Sequence, residues 1–404
     1  MTNARDLERE LNQRAYGART GPTAAKPTVY QLIGDDGTVS TAACERLAKA
    51  KTLAVTIADA FEALLLELML VDHPEYKKDR ESLPARFSAY KAAYVGTHAV
   101  ENVGVWVHYS NGSLVHLLRP EDHYRLRTSR NIGLLTSEEQ DAMKRTRVAV
   151  GGLSVGGLCA TTLAMEGVKQ FYLTDFDTLA CSNLNRIGSS VSQLGTFKAS
   201  IVSQKIWDID PFADVVTSDK GYVGGDADEM FAGPHLPHVA IDAMDSFDAK
   251  VAIRQACRQR RVPLVWMIDM GDGVVQIGTE RYDQDPGYPA FHGHLQKLQQ
   301  RVGRPLSYVE ACFAIFSHDH LPSRMTRSFR LACNSEWPGI PQLAGTVCIA
   351  AGAVARVVRR IVLGQPVVPE FFIEIDEKAD PDYVTTRQVD RDATHSMLAE
   401  LGLR

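Results

Sequence analysis

The clearest structural pattern in the sequence lies in residues 145–198, RTRVAVGGLSVGGLCATTLAMEGVKQFYLTDFDTLACSNLNRIGSSVSQLGTFK. An apolar run at 148–150 predicts a buried strand and leads directly into a glycine-rich turn, 151–157. Apolar spacing after the turn predicts a helix that ends at Gly167, and the next apolar run predicts a second strand that ends at Asp175. A strand, glycine turn, helix and strand ending in an acid is typical of the first half of a nucleotide-binding Rossmann unit.

The glycine-rich turn predicts a phosphate-binding loop. Glycines let the backbone approach phosphate oxygens, and the following helix directs its N–H groups at them. We therefore expect Gly151, Gly152, Ser154 and Gly156 to surround the phosphates, with the Ser154 hydroxyl as a donor. Asp175 stands where an acid hydrogen-bonds a ribose hydroxyl. This half unit alone indicates an adenosine nucleotide, with NAD as the default.

A polar cluster after the second strand favours a different nucleotide. Asn183, Arg186 and Lys198 follow Asp175 within 23 residues. Hydride transfer needs no such cluster. Two cations and an amide near the phosphates suit a triphosphate whose charge must be neutralised before attack at phosphorus.

An acidic pair, Asp242 and Asp245, ends a further apolar run, VAIDAMD. Carboxylates hold Mg²⁺ together with the phosphates of a nucleotide, and we expect Asp245 to do so. Asp242 suits the capping of the strand end equally well. Asp177 either contacts the nucleotide or caps the turn that follows it.

Four spaced motifs carry a family resemblance: RTSRN, DFDTLACSNLNR, GTFK and IDAMDSFDAK. Together they resemble the ThiF/MoeB/HesA superfamily, the ubiquitin-activating-type adenylyltransferases, from about Arg125 to about Pro366. The resemblance implies an α/β fold with a Rossmann-like doubly wound sheet, and binding of ATP and Mg²⁺. It also implies adenylation of a carboxylate with release of pyrophosphate. That carboxylate would be the C-terminus of a ubiquitin-like protein or a peptide.

The resemblance also assigns roles by motif. Asp175 is similar to the ribose-binding acid and Asp245 to the magnesium-associated aspartate. The triphosphate-contacting set corresponds to Asn183, Arg186 and Lys198. Arg130 resembles the arginine that reaches into the partner subunit's ATP site, which implies a symmetric homodimer.

Cys333 is similar in position to a cysteine that forms a thioester or persulfide in some family members. A thiolate there attacks an acyl-adenylate if nearby cations lower its pKa. Free cysteines are also commonly inert core residues, and this alternative stays open.

The chain departs from the family pattern at two points. The usual loop is GxGGxGS, whereas Leu153 and Ser154 stand here where two glycines are usual, and the paired CxxC zinc motifs are absent. These departures also fit a family member with altered or lost catalysis that binds a nucleotide or peptide. An NAD-dependent oxidoreductase explains the loop and Asp175 but leaves the polar cluster unexplained. A small molecule or a tRNA base is a further target for adenylation.

Composition argues against two classes of protein, those that bind nucleic acid and those that span a membrane. The 404 residues carry a net charge of −5 with no long basic run, so we expect no nucleic-acid partner. The longest apolar stretch is too short to span a bilayer, and the amino terminus lacks an apolar signal region. We therefore expect a cytoplasmic protein without a membrane partner.

Composition shifts predict the domain organisation. We expect a mobile tail at 1–26 and a small α+β domain at 27–120, which is either a partner-binding module or a structural addition. The adenylation domain follows at 121–370, with an irregular crossover at 281–340. A strand and a charged tail complete the chain at 371–404.

Two local sequence patterns predict secondary structure in the small domain. Apolar spacing predicts a helix over residues 56–71. Alternating runs on either side of Asn111 and Gly112 predict a β-hairpin.

Overall fold

The computed structural model describes a larger α/β body and a smaller α+β unit. The described residues are 25–34, 36–222, 227–232, 236–302, 308–315, 318–333 and 340–400. The predicted tail at 1–26 lies almost entirely outside these ranges. No helix in the described ranges is long and apolar enough to cross a membrane.

The strands are β1 (Thr28–Tyr30), β2 (Thr56–Asp59), β3 (Val105–His108), β4 (Ser113–Leu117), β5 (Arg147–Gly151), β6 (Gln170–Thr174), β7 (Asp214–Ser218), β8 (Val239–Asp242), β9 (Leu264–Gly271), β10 (Val274–Glu280) and β11 (Glu370–Glu374). The α-helices are α1 (Thr41–Leu53), α2 (Phe61–Asp72), α3 (Leu83–Val95), α4 (Pro120–Arg127), α5 (Ser137–Arg145), α6 (Val155–Glu166), α7 (Lys198–Ile209), α8 (Ala227–Met230), α9 (Phe247–Arg260), α10 (His294–Val302), α11 (Tyr308–Ile315), α12 (Ser323–Cys333), α13 (Ala344–Val362), α14 (Asp376–Ala379) and α15 (Tyr383–Glu400).

The larger sheet has seven strands within the described ranges, in the order β11-β10-β9-β8-β5-β6-β7. Strands β5 to β9 pair in parallel, whereas β10 and β11 are antiparallel. Helices α6 and α13 pack on one face, where Val150, Leu163 and Val354 share a core cluster. Helix α9 covers the other face through Ile253 and Cys257. The predicted Rossmann-like doubly wound sheet is confirmed.

The strand order places a topological switch at β5, with β6 on one side and β8 on the other. In sheets of this kind, ligands bind outside the carboxyl ends of the strands at such a switch. Gly151 is the register partner of both Thr174 and Asp242, and Asp242 is the register partner of Trp266. The segments that follow these residues therefore lie at one edge of the sheet.

The first turn of α5 is held by a capping box. The Thr136 hydroxyl accepts a hydrogen bond from the Glu139 N–H, and the Glu139 carboxylate accepts one from the Thr136 N–H. We expect Thr136→Ala to lower the free energy of unfolding by about 1 kcal/mol, because a helix N–H group loses its partner. Chemical denaturation measures this, with Ser137→Ala, one residue inside the helix, as a control that changes stability by less than about 0.5 kcal/mol. Equal losses in both variants would contradict the capping role.

The smaller sheet has the order β1-β3-β4-β2. The predicted hairpin is confirmed as β3 and β4. The predicted helix at 56–71 is wrong at its start, because its first residues form β2, which pairs in parallel with β4. β-branched residues such as Thr56 and Ile57 favour a strand, and the Asp59 carboxylate then accepts a hydrogen bond from the N–H of Phe61, where α2 begins.

The segment 281–340 is not irregular, since its described residues include α10, α11 and α12. Strand β11 pairs with β10, so the larger sheet continues beyond residue 370. The charged tail contains α15, which packs on α12 through Met397 and Met325. The division at 26, 120 and 370 stays a prediction, and β11 crosses its last boundary, because the strand begins at Glu370 and ends at Glu374.

Candidate functional site

The loop between β5 and α6 has the form expected of an anion site. Gly152 has a φ of +81°, and a Cβ there would lie 2.4 Å from the carbonyl oxygen of Ala243, so only glycine fits. Ser154 occupies the N-cap of α6 without capping the helix through its side chain. The first N–H groups of a helix have no partner within it, and they carry a partial positive charge. The loop can therefore bind phosphate oxygens.

The departure at Leu153 is explained by packing. Its side chain is fully buried in the core cluster beneath the loop. Its backbone N–H donates to Asp175 Oδ2 at 2.6 Å, which ties the loop to the end of β6. Leu153 thus points away from the loop's outer surface and leaves the N-terminus of α6 accessible.

Asp175 connects two backbone segments. Its Oδ1 accepts a hydrogen bond from the N–H of Asp177 at 2.8 Å, in addition to the Leu153 bond. Burial raises the pKa of Asp175, although the charge of Lys198 and the two N–H groups oppose that shift. Each carboxylate oxygen can accept a second hydrogen bond. The ribose contact stays a prediction.

Lys198 is the first residue of α7 and its side chain is 8% exposed. Its ammonium group lies 2.8 Å from Asp177 Oδ2, and its backbone N–H donates to the Asp177 carbonyl oxygen. The Asp177 side chain is about half exposed. The ion pair therefore holds Lys198 at the same edge of the sheet as the glycine loop.

Arg186 contacts the loop directly. Its Nε donates to Ser154 Oγ at 3.2 Å, and its Nη1 donates to the Ser182 carbonyl and to Asn185 Oδ1. Burial lowers the pKa of Arg186, and the negative charges of Asp245 and Asp269 oppose that shift. The guanidinium group therefore stands between the glycine loop and the acidic strand ends.

Asn183 has a local role in this structure. Its Oδ1 accepts a hydrogen bond from the Ala180 N–H at 3.0 Å, which closes the turn that leads to Arg186. Its predicted contact with the triphosphate stays a prediction.

The two acids at the carboxyl end of β8 have different surroundings. Asp242 is fully buried and bonds Arg254 Nη1 at 2.7 Å and Lys250 Nζ at 3.2 Å. Burial raises its pKa, but these two cations outweigh burial and bring the pKa below its ordinary value. Asp242 is thus part of a buried ion-pair network in the protein core. Asp245 is exposed on the same turn and interacts with Arg186, so it is the acid available to a ligand.

Magnesium fits this site only together with a nucleotide. In the described ranges, no group of three or more His, Cys, Asp or Glu side chains is arranged to hold a metal ion. Mg²⁺ usually takes one or two carboxylates and completes its shell with phosphates and water. Asp245, beside the glycine loop, suits that mode.

Asp269 is a site residue that the sequence interpretation missed. Asp242 of β8 and Trp266 of β9 are register partners, and Asp245 and Asp269 each stand three residues beyond them in the chain. The sequence signal for this residue is the acid that interrupts the apolar run of β9.

Arg130 does not lie with the other predicted residues. The adjacent Asn131 bonds the Glu166 carbonyl, and Arg127 bonds the Ala164 carbonyl, so this segment sits at the C-terminal end of α6. The glycine loop is at the other end of this 12-residue helix, about 18 Å away along its axis. Arg130 is exposed and forms no ion pair within the described ranges. Cys333 ends α12, and its side chain lies outside what the structure describes.

The similarity to known proteins covers this region. An uncharacterized protein of Mycobacterium tuberculosis (strain CDC 1551 / Oshkosh) is 37% identical over 66% of this chain and 37% of its own length. The tRNA threonylcarbamoyladenosine dehydratase of Bacillus subtilis (strain 168) is 32% identical over 34% of this chain and 54% of the dehydratase. The molybdopterin-synthase adenylyltransferase of Salmonella typhimurium (strain LT2) is 33% identical over 36% of this chain and 58% of the enzyme. The chain thus spans between 37% and 58% of the length of these relatives.

A family model matches about as much of the chain as the Mycobacterium relative does. The model of the ThiF family matches residues 128–393, more than half of the 404 residues. This region includes all seven strands of the larger sheet, the glycine loop and the acidic strand ends. The resemblance seen in the four motifs is confirmed, and the chain belongs to the ThiF family.

Proposed function

We propose that this protein is an ATP-dependent adenylyltransferase that activates a carboxylate as an acyl-adenylate and releases pyrophosphate. The observation that carries this proposal is the convergence of Lys198, Arg186 and Asp245 around the uncapped first turn of α6. Two cations, an acid and a set of open N–H groups match the needs of a magnesium triphosphate. The relative named molybdopterin-synthase adenylyltransferase supports the same chemistry.

The proposed reaction is an in-line displacement at the α-phosphorus. A carboxylate oxygen forms a bond to the α-phosphorus while the bond to the oxygen that bridges to the β-phosphorus breaks, and pyrophosphate leaves with the electron pair. Such transfers depend on positioning and on neutralisation of charge more than on covalent help from the protein. Mg²⁺ held by Asp245 would supply part of that neutralisation when bound.

The protein's own groups have distinct parts in this scheme. Lys198 turns from Asp177 towards the triphosphate, and Arg186 holds Ser154 and presents its remaining N–H groups to the phosphates. Asp175 fixes the loop that receives the phosphates and keeps acceptor capacity for the ribose.

The active unit in this proposal is a homodimer. Arg130 is about 18 Å from the glycine loop of its own chain along α6, farther than an arginine side chain extends, so it would act only in a partner's site. Ile132 and Leu134 beside it are 71% and 86% exposed. Exposed apolar side chains next to Arg130 suit burial against a second copy.

We propose a ubiquitin-like protein or a peptide as the source of the carboxylate, with the cytoplasm as the location. A modified tRNA base is the second candidate, favoured by the relative named as a tRNA threonylcarbamoyladenosine dehydratase. The net charge of −5 favours the first candidate, because nucleic-acid affinity depends on basic surfaces. The thioester role of Cys333 stays a prediction.

Calorimetric titration of ATP·Mg²⁺ and, separately, NADH into wild type and Asp245→Asn tests the proposal without knowledge of the acyl substrate. We expect ATP to bind and the substitution to weaken binding about tenfold when magnesium is present, because one carboxylate ligand is lost. Asp248→Asn, an exposed acid three residues further on, is the matched control and leaves binding unchanged. Binding of NADH without ATP would instead indicate a dehydrogenase-like domain.

A further inference from the structure

Asp269 has one carboxylate oxygen that the described residues do not satisfy. Its Oδ1 accepts the Gly271 N–H at 2.9 Å, whereas Oδ2 is buried without a hydrogen-bond partner within the described ranges. A buried polar atom left unpaired destabilises the structure that contains it. Ligands bind at this edge of such a sheet, so we expect an atom of a bound ligand to form the missing hydrogen bond with Oδ2.

Arg186 is the charged group close enough to Asp269 for each to shift the pKa of the other. Charged groups on the neighbouring elements are paired elsewhere: Asp242 with Lys250 and Arg254, Glu280 with Arg254, Asp272 with Arg324, and Arg359 with Glu166. Asp245 is the other acid that interacts with Arg186. A phosphate that binds Arg186 would consequently come close to Asp269.

Asp269 is poised to change its charge when such a phosphate arrives. Burial raises its pKa to about 6, although the Gly271 N–H and Arg186 oppose the shift. A triphosphate engages Arg186 and adds negative charge nearby, and both effects raise the carboxyl pKa further. The protonated acid is a hydrogen-bond donor, whereas the carboxylate is only an acceptor.

We propose that Asp269 takes up a proton from solvent when ATP binds and donates a hydrogen bond from Oδ2 to a phosphate oxygen. Asp269 is then a nucleotide-binding residue whose ionised form disfavours the triphosphate. The inference rests on the proposed function, because it needs a triphosphate at Arg186. The proton returns to solvent when the nucleotide leaves.

The sign of the pH dependence follows from this exchange. The pKa is higher in the complex than in the free protein, so proton uptake accompanies binding and affinity rises as the pH falls. Affinity levels off below the free-protein pKa of about 6, where Asp269 is already protonated. We expect ATP binding to weaken by about tenfold or more between pH 6 and pH 8, with an upper limit of about tenfold per pH unit.

Calorimetric titration of ATP·Mg²⁺ in buffers of different ionisation enthalpy tests the proposal by counting the protons taken up. Wild type is compared with Asp269→Asn, which keeps the shape of the side chain and an N–H donor but does not titrate. Protons that ATP itself gains or loses are counted equally in both proteins, so the difference between them belongs to Asp269. At pH 7 we expect wild type to take up about half to one proton more than the variant. The variant should bind ATP within about threefold of wild type at pH 6 and should lack the added pH dependence. Asp272→Asn, an exposed acid three residues away, should behave as wild type.

Each contrary outcome has a separate meaning. Equal proton counts in wild type and Asp269→Asn, with ATP bound by both, overturn the role of Asp269 and leave the proposed function intact. Loss of ATP binding in a folded Asp269→Asn overturns the donor role and shows that the carboxylate itself is required. Failure of wild type to bind ATP overturns both proposals. Wild-type affinity that does not change between pH 6 and pH 8 overturns the inference without any variant.

Discussion

Replacing Lys198 with methionine is expected to weaken ATP·Mg²⁺ binding by about 10- to 100-fold, because a hydrogen bond between charged groups contributes about 1.5–3 kcal/mol. The methionine keeps the length and apolar contacts of the lysine stem, which is almost fully buried at the start of α7. Only the ammonium group is removed. Isothermal calorimetry on the folded variant measures the change.

Two control variants show whether the Lys198 ammonium group acts by contacting a phosphate. Lys205→Met removes the same charge from a half-buried position on the same helix, and we expect it to change ATP affinity by less than about threefold. Asp177→Asn breaks the ion pair but keeps the ammonium group. If Asp177→Asn weakened ATP binding as much as Lys198→Met, the ion pair would account for the loss and Lys198 would have no phosphate role.

Arg254→Met is expected to lower the free energy of unfolding by about 3–5 kcal/mol, the usual result of removing one partner from a buried ion pair. Arg254 is 2% exposed and bonds two fully buried acids, Asp242 at 2.7 Å and Glu280 at 3.0 Å. Methionine fills most of the space but leaves Glu280 without its cation. Denaturation in urea, followed by circular dichroism, measures the loss.

The matched control is Arg258→Met, on the same helix and exposed, which is expected to cost less than about 1 kcal/mol. Stability is expected to fall as the pH is lowered. The pKa of Asp242 in the folded protein is below its ordinary value, so the stabilisation from its cations is present above about pH 4 and is lost as the pH falls through the folded pKa. We expect the loss of stability on acidification to be smaller in Arg254→Met than in wild type. An equal loss in both proteins would contradict this account.

The same network connects stability to the site. Asp242 also accepts a hydrogen bond from the Met244 N–H, and the Ala243 N–H donates to the Gly151 carbonyl. Arg254 therefore holds the turn that carries Asp245 against the start of the glycine loop. A change in this buried cluster should alter ligand binding as well as stability.

Local sequence patterns predict the first half of the Rossmann-like unit in this protein. The glycine turn, the apolar runs around it and the capping box at Thr136 act over a few residues, so their patterns predict β5, α6, β6 and α5. Parallel strands bring their carboxyl ends to one edge of a sheet, which is consistent with a site that combines Asp175, Arg186, Lys198 and Asp245.

The surroundings of each acid, and the contacts between distant parts of the chain, depend on the tertiary structure. Asp242 and Asp245 are equivalent in the sequence pattern, but only Asp242 faces Arg254 across the core. Asp269 joins the site because β9 pairs with β8, a register that no local pattern contains. Residues 56–59 form a strand because β4 is available as a partner, and Arg130 is kept from its own site by the length of α6. Burial, charge and register depend on contacts between residues far apart in the chain, and apolar spacing carries no information about those contacts.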